Sequence, residues 1–553
     1  MPPKYRDFKP KSKSKTSIPQ SENDFLDTAE EFEQAGGKWR AGDAAKAARF
    51  FQRAIQVYDQ GLQTFPRSFD LAYNKAHLEY QSCEDDRIVA HLGDRIALLH
   101  ETLASHRAAF ALNGENLDIQ FNTGQVLVSL GEALLDAGTD PAAKASAQTF
   151  LEEAAEVFTQ CLAAQQRQYE QMRLELANVQ EEQSSMSRDT ADPIKNKIAE
   201  ADVQEENMDT SDSPATTEWA TVEEALTPEV ILETCTAQLD TLVTLIGLYD
   251  PADLAAFEKR VEDGLRTVNT SIPTLISLID NAAPPETEDK PAGPTLSISS
   301  PSDDEEPAST PQDDAILATI IFQVAIAEFS YRSGQVTVPQ YANTISTLFS
   351  PLTITPQSPT QQAALINAQS AYADALVDFA SAVSDTSPDA SAFSALEPQW
   401  EAFSQAQSLL TQLCTPPTNA LVSASRLADM FVARGDADLA RYHLSLLGEA
   451  KPSWRSSKMV LIGNAGIFYR GGRTYAEKAK KQEVAKTAGA KAVIAEVLKE
   501  ANEANEAGNS SGIFAKASWR KQAAEVERVL EHMVSEKTMS ETDREGILKI
   551  VLN

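Results

Sequence analysis

Small and apolar residues recur along most of this chain at spacings of three and four, with charged positions between them, which is the period of helices that bury one face. The first stretch predicts a helix from about Asp27 to Ala41, then a second from near Asp43 to Pro66. Helical pattern continues through 68–81, 96–112 and 117–135. It returns at 229–249 and 252–268, then at 315–334, 361–383, 398–413, 456–472 and 518–534, and in a last helix over 541–552. The charged run 474–504 predicts a long exposed helix. No alternating strand pattern competes, so the expected fold class is all-α.

Two stretches interrupt the pattern. Residues 178–215 hold ten acids against three bases, and 284–314 hold seven prolines and nine acids against the single Lys290. Such composition lacks the large apolar residues needed to offset the entropy of ordering, so both read as acidic disordered insertions. The first would begin as a frayed continuation of the preceding helix. The expected organisation is a basic tail over 1–24, helical repeats over 25–177, the insertion 178–215, a helical hairpin over 216–283, the linker 284–314, further repeats over 315–507 and capping helices over 508–553.

A finer ruler lies in Val422–Pro452. With Gly435 taken as the turn between two helices, Ala428 stands seven residues before it, and Ala440, Leu444, Leu447 and Pro452 stand five, nine, twelve and seventeen after. The same spacing fits around Gly42, with Ala35 before it and Ala47, Phe51 and Ala54 after. Ala76 with Cys83, Gly124 with Gly131, and Ala327 with Gly334 repeat the seven-residue step. Ala154, Phe158 and Cys161 repeat the later positions, displaced by an insertion around 138–147. This pattern resembles the tetratricopeptide repeat (TPR) superfamily, whose helix-turn-helix units place small residues where helices cross. The resemblance implies a TPR-like superhelix, or solenoid, of helical hairpins.

Charge then bears on partners. Lys+Arg 48 against Asp+Glu 81 gives a net charge of −33, which repels nucleic acid and anionic lipid and draws in basic proteins. Solubility alone accounts for the same charge. Six bases among residues 1–19 (Lys4, Arg6, Lys9, Lys11, Lys13 and Lys15) face one acid, Asp7. They read either as a nuclear import signal or as a solvated end. The start has no apolar segment of the secretory kind, and the run Ile316–Phe329 is interrupted and short for a bilayer, so neither secretion nor a membrane span is expected. Cys83, Cys161, Cys235 and Cys414 lie far apart without metal spacing and read as reduced, buried small residues. The expected location is cytoplasmic, nuclear or both.

Signatures of catalysis are weak. His100, Glu101 and His106 approximate a zinc-protease motif, but the second histidine stands six residues on, which turns the imidazoles onto different helical faces. The glycines of 463–472 follow no strand and match no phosphate loop. Neither a catalytic, metal nor cofactor site is expected. In the TPR family, partner peptides lie along helix A at its second, fifth, ninth and twelfth positions. On this ruler the fifth positions are Phe32, Tyr73 and Phe121, the second positions Asp70 and Asp118, and a twelfth is Trp39. They would form an aromatic strip edged by carboxylates, suited to lysine or arginine; the competing reading puts the aromatics in the core. The TPR subclass that clamps acidic carboxyl termini carries asparagine, lysine and arginine on these helices. Asn74 fits, but Asp118 and Asn122 stand where that subclass has Lys and Arg, so opposite charge would repel such a tail.

These readings lead to a non-catalytic protein-binding protein, an assembly chaperone or escort of a basic client such as a ribosomal protein or histone. It is similar in architecture to the histone-binding TPR family with an acidic loop and to fungal-type TPR escorts of ribosomal proteins. The alternative is a scaffold subunit using apolar contacts, and the oligomeric state is left open. Ser302, followed by Asp303, Asp304, Glu305 and Glu306, stands in a context that acidophilic kinases favour.

Overall fold

A computed structural model describes residues 19–138, 140–189, 226–281, 308–352, 358–386, 393–506, 516–536 and 538–552. Among them the regular structure is entirely helical. The chain divides after Gln238 into two compact units.

In the first unit, α1 (Glu22–Arg40) and α2 (Ala44–Thr64) pack as a hairpin, followed by α3 (Phe69–Cys83), the short α4 (Asp86–Leu92), α5 (Arg95–Leu112), α6 (Leu117–Asp136) and α7 (Pro141–Asp189). Next comes α8 (Pro228–Leu248), which begins in this unit. Short polar residues fix the starts. The side chains of Ser21, Asp43, Ser68, Asp85, Asp94 and Asn116 accept the backbone N–H groups of Asp24, Lys46, Leu71, Arg87, Ala97 and Ile119. Each such cap contributes about 1 kcal/mol. Helices α1 with α2, α2 with α3, α3 with α5, α5 with α6 and α6 with α7 pack on each other, as stacked hairpins require. Phe25, Phe51, Tyr58 and Leu71 form one core cluster, and Leu99, Leu127, Leu130 and Phe158 another.

Glycines set how closely the helices approach. A Cβ on Gly36 would lie 2.4 Å from the Phe51 ring, and one on Gly124 would lie 2.6 Å from Phe158. Real Cβ atoms do not reach such distances, so these positions exist for the crossing aromatic. Gly42 differs: it sits in the turn between α1 and α2 with open space around it, as the ruler expects.

The second unit begins within α8 and continues with α9 (Leu254–Arg266), a π-helical turn Thr267–Ser271 and α10 (Ile272–Asn281). Beyond residues 282–307 come α11 (Pro311–Arg332), α12 (Val338–Phe349), α13 (Pro359–Thr386), α14 (Phe393–Leu413), α15 (Ala424–Leu446) and α16 (Pro452–Lys478). Then follow α17 (Gln482–Glu506), α18 (Ala517–Arg520), α19 (Ala523–Ser535) and α20 (Glu541–Leu552). Gly334, with φ of +78°, closes α11 in the left-handed conformation that glycine adopts freely.

Several expectations are corrected here. Gly435 is no turn: α15 runs unbroken through it, and a Cβ there would lie 2.4 Å from the Tyr469 ring of α16. It is the counterpart of Gly124, and Tyr469 follows it by the same 34 residues that separate Gly124 from Phe158. The insertion near 138–147 lies mostly inside α7 as added helical turns. Cys83, by contrast, is a free, buried residue as expected, ending α3 with its Sγ 3.6 Å from the Thr102 hydroxyl. The run 474–504 is not an exposed helix. It ends α16 and forms α17, whose Ala488, Ile494, Ala495 and Val497 are fully or almost fully buried, because α16, α19 and α20 all pack against it.

Boundaries shift for stated reasons. Ser21 and Asp24 form a reciprocal capping box that starts α1 inside the expected tail. Thr310 caps α11, so Pro311–Asp314 are its first turn rather than linker. Helix α7 continues to Asp189, and the remainder of the expected acidic insertions, 190–215 and 284–307, lies outside the described residues, as do the basic residues of the tail. By length and composition α8 and α11 are apolar enough to cross a membrane, which the run Ile316–Phe329 alone did not suggest. Leu232, Cys235 and Leu242 on α8 and Phe322 and Phe329 on α11 are buried in the protein, while Val230 and Ile316 are exposed.

Candidate protein-binding strip

Three helices of the first unit position the expected strip. Ser68 caps α3 so that Phe69, Tyr73 and His77, four residues apart, share one face. Their rings follow one another: Phe69 and Tyr73 centroids are 5.7 Å apart, and Tyr73 and His77 are 6.0 Å apart with planes only 4° from parallel. Helix α6 lies alongside. The Asn122 amide reaches the Tyr73 hydroxyl at 3.5 Å, and the Tyr80 and Ser129 hydroxyls are 3.2 Å apart. Apolar backing from Ala72, Ala109 and Ile119 holds the two helices together beneath Phe69 and Tyr73.

Electrostatics give the strip a negative sign. Burial, then the neighbouring Asp118 carboxylate, raise the Tyr73 phenol above its ordinary value, against the Asn122 hydrogen bond. Burial lowers the His77 imidazole despite the opposite pull of Asp118, so the ring is neutral at pH 7 and adds no cation. Asp70 and Asp118 are exposed, and Tyr73, Asn74 and Asn122 are half-buried. Aromatic faces edged by carboxylates, without a competing cation among these residues, suit a guanidinium or ammonium.

The eight predicted residues do not form one surface. Tyr73, Asp118 and Asn122 come together, and Asp70 stands on the first turn of the same α3. Asn74 lies beside Tyr73 on α3, with no contact that places it in the strip. Phe32 is half-buried against the α1–α2 core, and Phe121 leans on Phe158 at 5.7 Å, so both follow the core reading. Trp39 is 42% exposed, but the Lys46 ammonium lies 3.1 Å over its ring, leaving that face occupied by the protein's own cation. Phe69 and His77 were missed; their i, i+4 spacing from Tyr73 was the available signal. Ser302 lies outside the described residues.

The two histidines of the approximate zinc motif have different surroundings. His106 is fully buried, its Nδ1 2.9 Å from the Thr102 carbonyl oxygen, and burial lowers its pKa to about 4. His100 is exposed, with its ring 5.7 Å from that of Phe150. All four cysteines are free and buried.

Fold and strip together define an all-α protein of stacked helical hairpins with a half-buried aromatic strip. Comparison with known proteins adds little detail. No family model matches the chain. A UPF0656 protein of Schizosaccharomyces pombe is 31% identical over 114 residues, which is 21% of this chain and 25% of that protein's length. Among solved structures, a circular tandem repeat protein with novel repeat topology aligns over 96% of this chain and 92% of its own, at 10% identity and a TM-score of 0.28. A structure of Naa15/Naa10 bound to HypK-THB aligns over 98% and 92%, at 12% identity and a TM-score of 0.11.

Proposed function

We propose that this is a non-catalytic binding protein that holds a lysine- or arginine-bearing segment of a partner, as an escort of a basic client would. The observation that carries this reading is the Phe69–Tyr73–His77 ladder with Asp118 beside it. A cation on those rings gains from their faces and from the acids at once, by about 0.5–2 kcal/mol per contact. The chain's net charge of −33 draws basic proteins toward it and raises the association rate. A ribosomal protein or histone is the class of client that fits, and the cytoplasm or nucleus is where it would be met, with the basic tail as an import signal. Pull-down of purified histones and ribosomal proteins across a salt series tests this. Binding at low ionic strength that weakens with salt, and weakens further in Asp70→Lys/Asp118→Lys, supports it; no binding at low salt defeats it.

A second reading, a scaffold subunit with apolar contacts, rests on α16. Val460 and Ile467, seven residues apart on one helical face, are 61% and 56% exposed. Deleting 190–215 and 284–307 separates the readings, because affinity for a partner falls only where acidic charge contributes.

A further inference from the structure

One face of α2 carries the sign opposite to the chain as a whole. Lys46, Arg49, Phe50 and Arg53 follow one another at helical spacing and line a shallow hollow of about 280 Å³. Arg49 and Arg53 are exposed, and Phe50 is half-buried at the centre of the patch. Some other cations of this unit find acids: Arg40 and Arg87 pair with Asp85, and Lys75 pairs with Asp59. Lys46, Arg49 and Arg53 have no carboxylate within ion-pair distance among the described residues, in a chain with 81 acids against 48 bases. Instead the Lys46 ammonium is held over the Trp39 ring and the Arg49 Nε donates to the Ala45 carbonyl oxygen.

Three like charges on two helical turns repel one another, a cost that an anionic ligand removes. Arginine guanidiniums present paired donors that match a carboxylate, and Phe50 offers an apolar surface between them. We propose that this face of α2 docks an acidic peptide segment of a partner protein. Its carboxylates would meet Lys46, Arg49 and Arg53, and an apolar side chain would pack on Phe50. From Lys46 to Arg53 the patch extends only about 10 Å along the helix, short for a nucleic-acid backbone. The site is separate from the strip on α3 and α6 and has the opposite preference.

Fluorescence anisotropy on the full chain tests it, with two probes: a labelled 15-residue peptide of glutamate and aspartate containing two leucines, and a 15-nucleotide RNA. The wild type binds the peptide, and Lys46→Glu/Arg49→Glu/Arg53→Glu weakens it about tenfold, which is 1.4 kcal/mol. Phe50→Ser weakens it about threefold by removing the apolar contact. Reversing exposed cations elsewhere on the unit, Arg67→Glu/Lys144→Glu, changes it less than about twofold. Circular dichroism of each variant matches the wild type, since the reversed side chains lie at the surface. The proposal is overturned if the wild type does not bind the peptide, if the triple reversal binds as well as wild type, or if the control pair weakens binding equally. RNA binding that the triple reversal abolishes while peptide binding is unchanged overturns it as well.

Discussion

The α1–α2 hairpin of the first unit and the α15–α16 hairpin of the second satisfy the same ruler of small and bulky residues, yet their central glycines do different work. Gly42 stands in an exposed turn, with nothing for a side chain to meet. Gly435 stands in mid-helix, pressed against Tyr469, whose hydroxyl donates to Asp436. The structural equivalents of Gly435 are Gly36 and Gly124, each facing an aromatic ring of the next helix. Spacing of small residues therefore reports where helices cross, and only incidentally where they turn.

The largest effect expected along this comparison comes from the bulky partner. Phe158→Ala, which empties the ring's place against Gly124 in a fully buried site, lowers stability by about 3–5 kcal/mol in denaturant unfolding. Next is Gly435→Ala. A gain of about 1 kcal/mol in helix propensity is outweighed by the clash with Tyr469, for a net loss of about 1–3 kcal/mol. Gly42→Ala, by contrast, changes stability by less than about 0.5 kcal/mol. Equal effects at the two glycines would erase the distinction between turn and crossing.

A pH titration sharpens the account of the first unit's core. His106 has a folded pKa of about 4 against 6.5 for a free imidazole. Between these values the unfolded chain binds the extra proton, so this contribution is complete above pH 6.5 and is lost as pH falls toward 4. It amounts to about 3 kcal/mol at most. His106→Gln flattens the stability profile over that window; a profile that keeps its slope places the titration elsewhere.

Helix positions, the seven-residue steps of glycine and alanine and most of the all-α architecture were legible because each depends on local periodicity. Turn assignment at Gly435 was not, since it depends on Tyr469, 34 residues on. The burial of α17 was hidden for a related reason: alanines between charged residues declare a buried face only when a neighbour covers it. Repeat position put Tyr73, Asp118 and Asn122 on one list, and the structure brings these three together. The cation above Trp39 comes from the next helix, a contact that spacing along one helix does not show.

Photo-crosslinking tests the strip most directly. With p-benzoylphenylalanine in place of Tyr73, or of the exposed Gln56 on α2 as a control, the full chain is irradiated with a 12-residue arginine-rich peptide. The account predicts a crosslink from position 73 that Asp118→Lys reduces, and little from position 56. Equal labelling at both positions, or none at 73, contradicts it.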